Sequence, residues 1–266
     1  MNVFWAAFQA VAVLLGIGWL GFWVASRRMV RAEALGAMQP LALEVALPCM
    51  VFSAVLLRFD PQAQPGWWKL PLWWAGFMVF GLAMAGVAAL AARQGARREA
   101  AMCVFLNNAV FFPTVLLAGL RGPNTPLLAD LFLFTLFFHA FFMEAVHFFF
   151  PRAGAVNWRR LASPVLIATL AALVIRLVQA QRFVPPFIVE STRLVGGMAV
   201  PLLMLILGGA LFLDFEQRGR FEWTEVAKFV AVKNGLCPLA MVGLLWLIQP
   251  PPGVALLLLL QSAAPP

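Results

Sequence analysis

The sequence predicts an all-α membrane protein arranged as two inverted five-helix repeats. Three observations predict it. Of 266 residues, 63% are hydrophobic and only 11% charged. The apolar residues fall in runs of spanning length, separated by short basic clusters. A proline-centred pattern from the second and fourth runs recurs five runs later.

A soluble domain carries about a quarter charged residues. With a mean hydropathy of +0.91, no soluble core of this length hides so much apolar surface, so part of the solvent is lipid. The formal charge of +8 would suggest nucleic acid in a soluble protein. Here the basic residues sit between apolar runs, where headgroups and topology account for them, and nucleic-acid binding is excluded.

A spanning helix needs about 20 mostly apolar residues. The runs near 4–26, 38–57, 70–92, 99–120, 127–150, 162–181, 188–213 and 226–248 meet that length. A last run, Gly253 to Pro266, is too short to cross. The first has no Lys or Arg before it and is too long for a signal peptide, so it stays as a helix. Trp67 and Trp68 stand beside the third run, Trp158 beside the sixth and Trp223 beside the eighth. Those are headgroup-level positions for indole rings.

Odd connections hold most of the basic residues: Arg27, Arg28 and Arg31; Arg93, Arg97 and Arg98; Arg152, Arg159 and Arg160; Arg218, Arg220 and Lys228. The even ones hold fewer: Arg58 and Lys69, then Arg121, then Arg182 and Arg193. The positive-inside bias therefore puts the odd connections in the cytoplasm and the N-terminus outside.

The repeat carries the functional information. ALPCMVFS at 46–53 and AVPLLMLI at 199–206 place Pro48 and Pro201 in mid-span of the second and seventh helices. AAMCVFLNNAVFFP at 100–113 and VALLLLLQSAAPP at 254–266 each step from an apolar run to polar residues and then to proline. A repeat of odd helix number inverts on duplication. Residues 1–150 form the first repeat and 151–266 the second. A proline in a span frees a carbonyl and clashes with the preceding turn. Such breaks survive in lipid where they line a protein-enclosed cavity. Matching breaks in inverted halves point to a midplane site, toward which each following half-helix aims a positive dipole end. Asn107 and Asn108 with Pro113, and Gln261 and Ser262 with Pro265 and Pro266, are the candidate binding residues. A carboxylate suits such a site. The competing readings are plain kinks at Pro48 and Pro201, and amides that only glue helices together.

Glu44, one turn before Pro48, lies roughly 9 Å into its helix at the usual rise. It reads as a proton-coupling carboxylate or as half of an ion pair. Lys233 in the eighth helix contacts an anionic substrate or snorkels. His139, Met143 and His147, with Glu144 nearby, share a face of the fifth helix, too sparse a set for a metal site. Arg193, Asp130 and Arg176 read as interface residues. Cys49, Cys103 and Cys237 lie far apart in apolar runs with no metal spacing and read as buried thiols. No metal and no cofactor are expected beyond proton or sodium coupling.

On these motifs the chain resembles the auxin efflux carrier family, which includes bacterial malonate-type carriers. The matching stretches are ALPCMVFSAVL, NNAVFFPTVLLAG, ASPVLIATLAALV, MAVPLLMLILGGALF and the QSAAPP tail. The resemblance implies ten helices with the fourth and ninth crossing at their prolines. It implies a scaffold of helices 1, 2, 6 and 7, and a transport part of helices 3–5 and 8–10 moving like an elevator. One crossover arm would be Asn107, Asn108 and Pro113, the other Gln261, Pro265 and Pro266. It further implies a homodimer through the scaffold and a bacterial inner (plasma) membrane location. The chain departs from the pattern by stopping within the ninth helix, which predicts that the last one and a half helices are missing and that the chain is truncated. The expected function is secondary transport or uniport of small organic anions, with membrane lipid as the other partner. The rivals are a sodium-coupled symporter of the bile-acid type, for which no acidic residue stands beside either break, and a non-transporting subunit. No GxSxG, Walker or dinucleotide-binding glycine pattern is present, and Asp130 and Asp214 sit at opposite faces, so an enzyme is not expected.

Overall fold

Long apolar stretches interrupted by proline, with no alternating pattern, can form only helix in lipid, and the described residues form helices and no strand. The computed structural model describes residues 3–122, 125–138, 141–142, 149, 163–217 and 222–266. Helix α1 spans Val3–Ser26, and α2 spans Ala32–Pro40. A π-helical turn at Leu41–Ala46 joins α2 to α3, Leu47–Arg58. Next come α4 (Leu70–Ala91), α5 (Arg97–Phe105), α6 (Phe111–Arg121) and α7 (Leu127–Phe134). Then follow α8 (Pro164–Leu177), α9 (Pro186–Gly197) and α10 (Ala199–Gln217). A second π-helical turn at Ala231–Leu236 joins α11 (Trp223–Val230) to α12 (Cys237–Ile248), and α13 covers Pro252–Ala263.

Five of these helical stretches are long and apolar enough to cross a membrane: Phe4–Ser26, Ala32–Arg58, Trp67–Ala91, Pro186–Glu216 and Trp223–Ile248. The expected fourth span is not one helix, since residues 106–110 separate α5 from α6. The expected sixth span is shorter than its apolar run. Ser163 caps the start of α8, its hydroxyl accepting from Leu166 N at 3.2 Å with Pro164 in the first turn. Two residues past its end, Gln179 turns left-handed with φ 57°, a conformation that stops a helix. The second half of the expected fifth span lies largely outside the described residues. So do His139, Met143, Glu144 and His147, and also Trp158, Arg152, Arg159, Arg160, Arg218 and Arg220.

The two π turns share one cause. Proline has no N–H and its ring crowds the carbonyl four residues back. Pro48 and Pro238 each stand two residues past such a turn. The ladder has shifted there to five-residue bonds, Leu47 N donating to Ala42 O and Cys237 N to Val232 O. The wider turn absorbs the proline without ending the helix. Pro201 behaves differently: it sits in the first turn of α10, just after Met198 separates α9 from α10.

The chain divides into two compact units. The first comprises Met1–Ala63, Thr114–Phe132 and Ser163–Phe221. Its main seam is α1 against α10, whose backbones touch at glycines. A Cβ on Gly208 would overlap the Gly18 carbonyl, and one on Gly21 would reach 2.9 Å from the Leu205 carbonyl carbon. Small residues let membrane helices approach in this way. Phe22 closes the seam edge-on against Phe212, with ring centroids 5.3 Å apart. Helix α3 lies between α8 and α9, with Gly196 of α9 against the Met50 backbone.

The second unit comprises Gln64–Pro113, Leu133–Ala162 and Glu222–Pro266. Within it α4 packs along α5, and α12 along α13. The second π turn touches both α4 and α13. Ala88, Val104, Val232 and Cys237 form a buried cluster among these helices. Phe105 lies against Gly81 and edge-on to Phe141, which also meets Trp74.

Candidate functional site

The candidate residues of 100–113 and 254–266 meet inside the second unit. Segment 106–110 is non-helical, and a buried non-helical backbone must find partners other than its own helix. It finds them at the end of α13. Asn107 Nδ2 donates to the Gln261 backbone oxygen at 2.9 Å and to Gln261 Oε1 at 2.8 Å. Gln261 Nε2 donates in return to the Ala109 carbonyl at 2.6 Å. Asn108 N donates to the Pro265 carbonyl at 2.7 Å. Asn107 is 3% exposed and Gln261 1%. The sequence reading placed these residues on two arms of one site, and the geometry brings Asn107, Asn108, Gln261 and Pro265 into one hydrogen-bonded junction.

The remaining candidates have local tasks. Asn108 Oδ1 accepts from Phe111 N at 3.1 Å and Phe112 N at 3.2 Å, so it caps α6 in the usual way. The free amides expected at the start of α6 are therefore partly occupied, and what Asn108 can still offer a ligand is its Nδ2 hydrogens. Pro113 is the third residue of α6, where its missing N–H costs nothing. Ser262 is 2% exposed and turns its hydroxyl back to the Leu259 carbonyl at 2.8 Å. Pro266 lines a cleft of about 260 Å³ walled by alanines of α4 and α5 and by Glu225, Lys228 and Phe229 of α11. That cleft does not include Asn107, Asn108 or Gln261. Of its lining residues, Lys228 and Glu225 pair at 2.8 Å, and Arg93 pairs with Glu222 at 2.8 Å.

Lys233 does not snorkel. It sits in the second π turn, 3% exposed, with no hydrogen bond or ion pair among the described residues. Cys237 lies one turn on, and the nearby packing is apolar. Glu44, in the first π turn, is exposed instead of buried and has no ion pair or hydrogen bond among the described residues. The residue before Pro48 by four places is Glu44, and before Pro238 it is Asn234. The sequence reading passed over Pro238. The available signal was a proline following a polar pair, Lys233–Asn234, inside an apolar run. Among the interface expectations, Arg193 pairs with Glu190 at 2.6 Å on the exposed face of α9, while Asp130 is buried in α7. Among the described residues no group of acidic, His and Cys side chains could hold a metal.

A family model described as a membrane transport protein matches residues 6–155 and 152–266. No curated protein matches the chain.

Proposed function

This chain belongs to the membrane transport protein family, that of the auxin efflux carriers, and from that premise we propose that it carries small organic anions, carboxylates such as malonate or auxin-like acids. It is an integral membrane protein and a membrane transporter. The observation that carries the anion reading is Lys233. An ammonium taken out of water without a partner costs several kcal/mol. Lys233 is buried without one, on a turn packed against α13, the helix that carries Gln261. An anionic ligand would offset that cost. A π-helical turn inside an α-helix is frequently found at functional sites.

The junction of 106–110 with α13 acts in this reading as the crossover of two broken helices from inverted repeats. Helices 3–5 with 8 and 9 form the part that moves, and helices 1, 2, 6 and 7 the scaffold, which also makes a homodimer. Support comes from the compact second unit, which joins α4, α5 and α11–α13 although they are far apart in the chain. The location that fits is a bacterial inner membrane with the N-terminus outside.

The test is uptake of radiolabelled malonate and a panel of small carboxylates by proteoliposomes holding the chain. Lys233→Met should lower uptake at least tenfold without lowering the melting temperature. Asn108→Ser keeps an oxygen to cap α6 but removes the Nδ2 donor, and should also lower uptake. A folded protein that accumulates no carboxylate, or a Lys233→Met protein that transports like the original, refutes the reading.

A further inference from the structure

We propose that the cleft of the second unit is a lipid site, holding an acyl chain of a phospholipid whose headgroup is phosphoethanolamine. The site is separate from the junction and does not depend on the anion reading. The cleft, about 260 Å³, lies between the end of α4, the start of α5 and the face of α11 that carries Val226 and Phe229. It runs from Glu99, which is exposed, to Ala88 and Val232, which are 3% and 8% exposed and belong to a buried apolar cluster. Apart from Glu99, Glu225 and Lys228, the side chains lining it are apolar or a thiol. Two spanning stretches end here: Trp67–Ala91 finishes and Trp223–Ile248 begins. Arg93, Glu222 and Glu225 stand at those ends, and Trp223 is 75% exposed beside them. Charged residues with an exposed indole mark headgroup level, so what meets the mouth of the cleft is lipid.

Charge selects the headgroup. Lys228 and Glu225 neutralise each other across 2.8 Å, and Arg93 N also donates to Glu225 Oε2 at 3.2 Å. Glu99 is the lining charge left without an ion pair or hydrogen bond among the described residues. Arg97 and Arg98 precede it in the first turn of α5, exposed and likewise unpaired there. Cation and anion thus stand side by side at the mouth, the order that a phosphate with a neighbouring ammonium complements. A guanidinium suits the phosphate, and a carboxylate the ammonium. A primary ammonium has three N–H donors for Glu99. A trimethylammonium has none, and a glycerol headgroup leaves the carboxylate without a counter-charge. The transported anions are opposed here by Glu99 and Glu225. Pro266 lines the same cleft, next to Pro265, whose carbonyl holds Asn108 N. A chain seated in the cleft packs against that end of the junction, so the lipid should raise the melting temperature of the folded chain.

The test is lipid titration of the full chain by native mass spectrometry. The probes are dioleoyl phosphatidylethanolamine, dioleoyl phosphatidylcholine and dioleoyl phosphatidylglycerol, which differ only in headgroup. The ethanolamine lipid should bind about fivefold tighter than either of the others, the worth of one charge-assisted contact. Glu99→Gln should reduce it to the level of the choline lipid, while Glu99→Asp keeps the preference. Ala91→Phe, which fills the cleft from an exposed position on α4, should weaken all three. Equal affinity for the three lipids, or a preference that survives Glu99→Gln, overturns the proposal. So does undiminished binding to Ala91→Phe, since the chain then lies elsewhere. Soluble phosphoethanolamine binding as tightly as the lipid also overturns it, because the apolar walls then contribute nothing. None of these results bears on carboxylate uptake, so the transport reading stands or falls separately.

Discussion

Replacing Gln261 by methionine removes the amide that ties the two chain segments together while keeping side-chain length. Gln261 is 1% exposed, so water cannot substitute for what is lost. The change deletes the bonds from Asn107 Nδ2 to Oε1 and from Nε2 to the Ala109 carbonyl. Each is worth about 1 kcal/mol net. It also strands the carbonyl of Ala109, itself 2% exposed, at a further cost of about 1–3 kcal/mol. Burying the thioether recovers part of this, leaving a destabilisation of about 2–4 kcal/mol. The bond from Asn107 to the Gln261 backbone oxygen survives, so the junction should loosen without coming apart. Equilibrium unfolding in detergent measures the loss. A double-mutant cycle with Asn107→Leu isolates the shared amide contact, expected at about 1 kcal/mol. A loss under about 0.5 kcal/mol, or strict additivity in the cycle, would show that the two amides do not hold the segments together.

Other consequences are smaller in scope. Gly208→Val drives a side chain into the Gly18 carbonyl and should cost about 3 kcal/mol or prevent folding. Gly16→Ala, where a Cβ meets nothing within 4 Å, should be neutral or gain about 0.5–1 kcal/mol; thermal melts of the pair decide it. Arg93→Ala breaks a bridge to Glu222 whose partners are 60% and 52% exposed, so the melt should move by no more than about 1 kcal/mol, and less in 1 M salt. Lys233→Met should leave stability unchanged or raise it by about 1–4 kcal/mol, since an unpartnered buried charge gives way to an apolar side chain. A marked loss of stability there would mean that the ammonium holds the helices in place.

Composition and pattern alone determined that this chain is helical and lives in lipid, and they located its polar interruption. Apolar run length and the placement of Asn107, Asn108 and Gln261 are properties of short windows, and the cost of burying amides in lipid makes such residues conspicuous anywhere in the chain. The membrane transport family was legible for the same reason, through local motifs around prolines. Tertiary structure decided what those residues do. The α6 cap made by the Asn108 oxygen is local, but that Asn107 spends its donors on Gln261 depends on a partner 154 residues away, which no window contains. The response to proline was likewise not local. Pro48 and Pro238 widen the preceding turn, whereas Pro201 falls where α9 has already given way to α10. Burial also separated two charges that look alike in sequence. Lys233 is enclosed by the packing of α4 and α13 around its turn, and Glu44 is exposed. Depth along a helix sets how far a charge lies from water, but only the packing of other helices sets which face of that helix is covered.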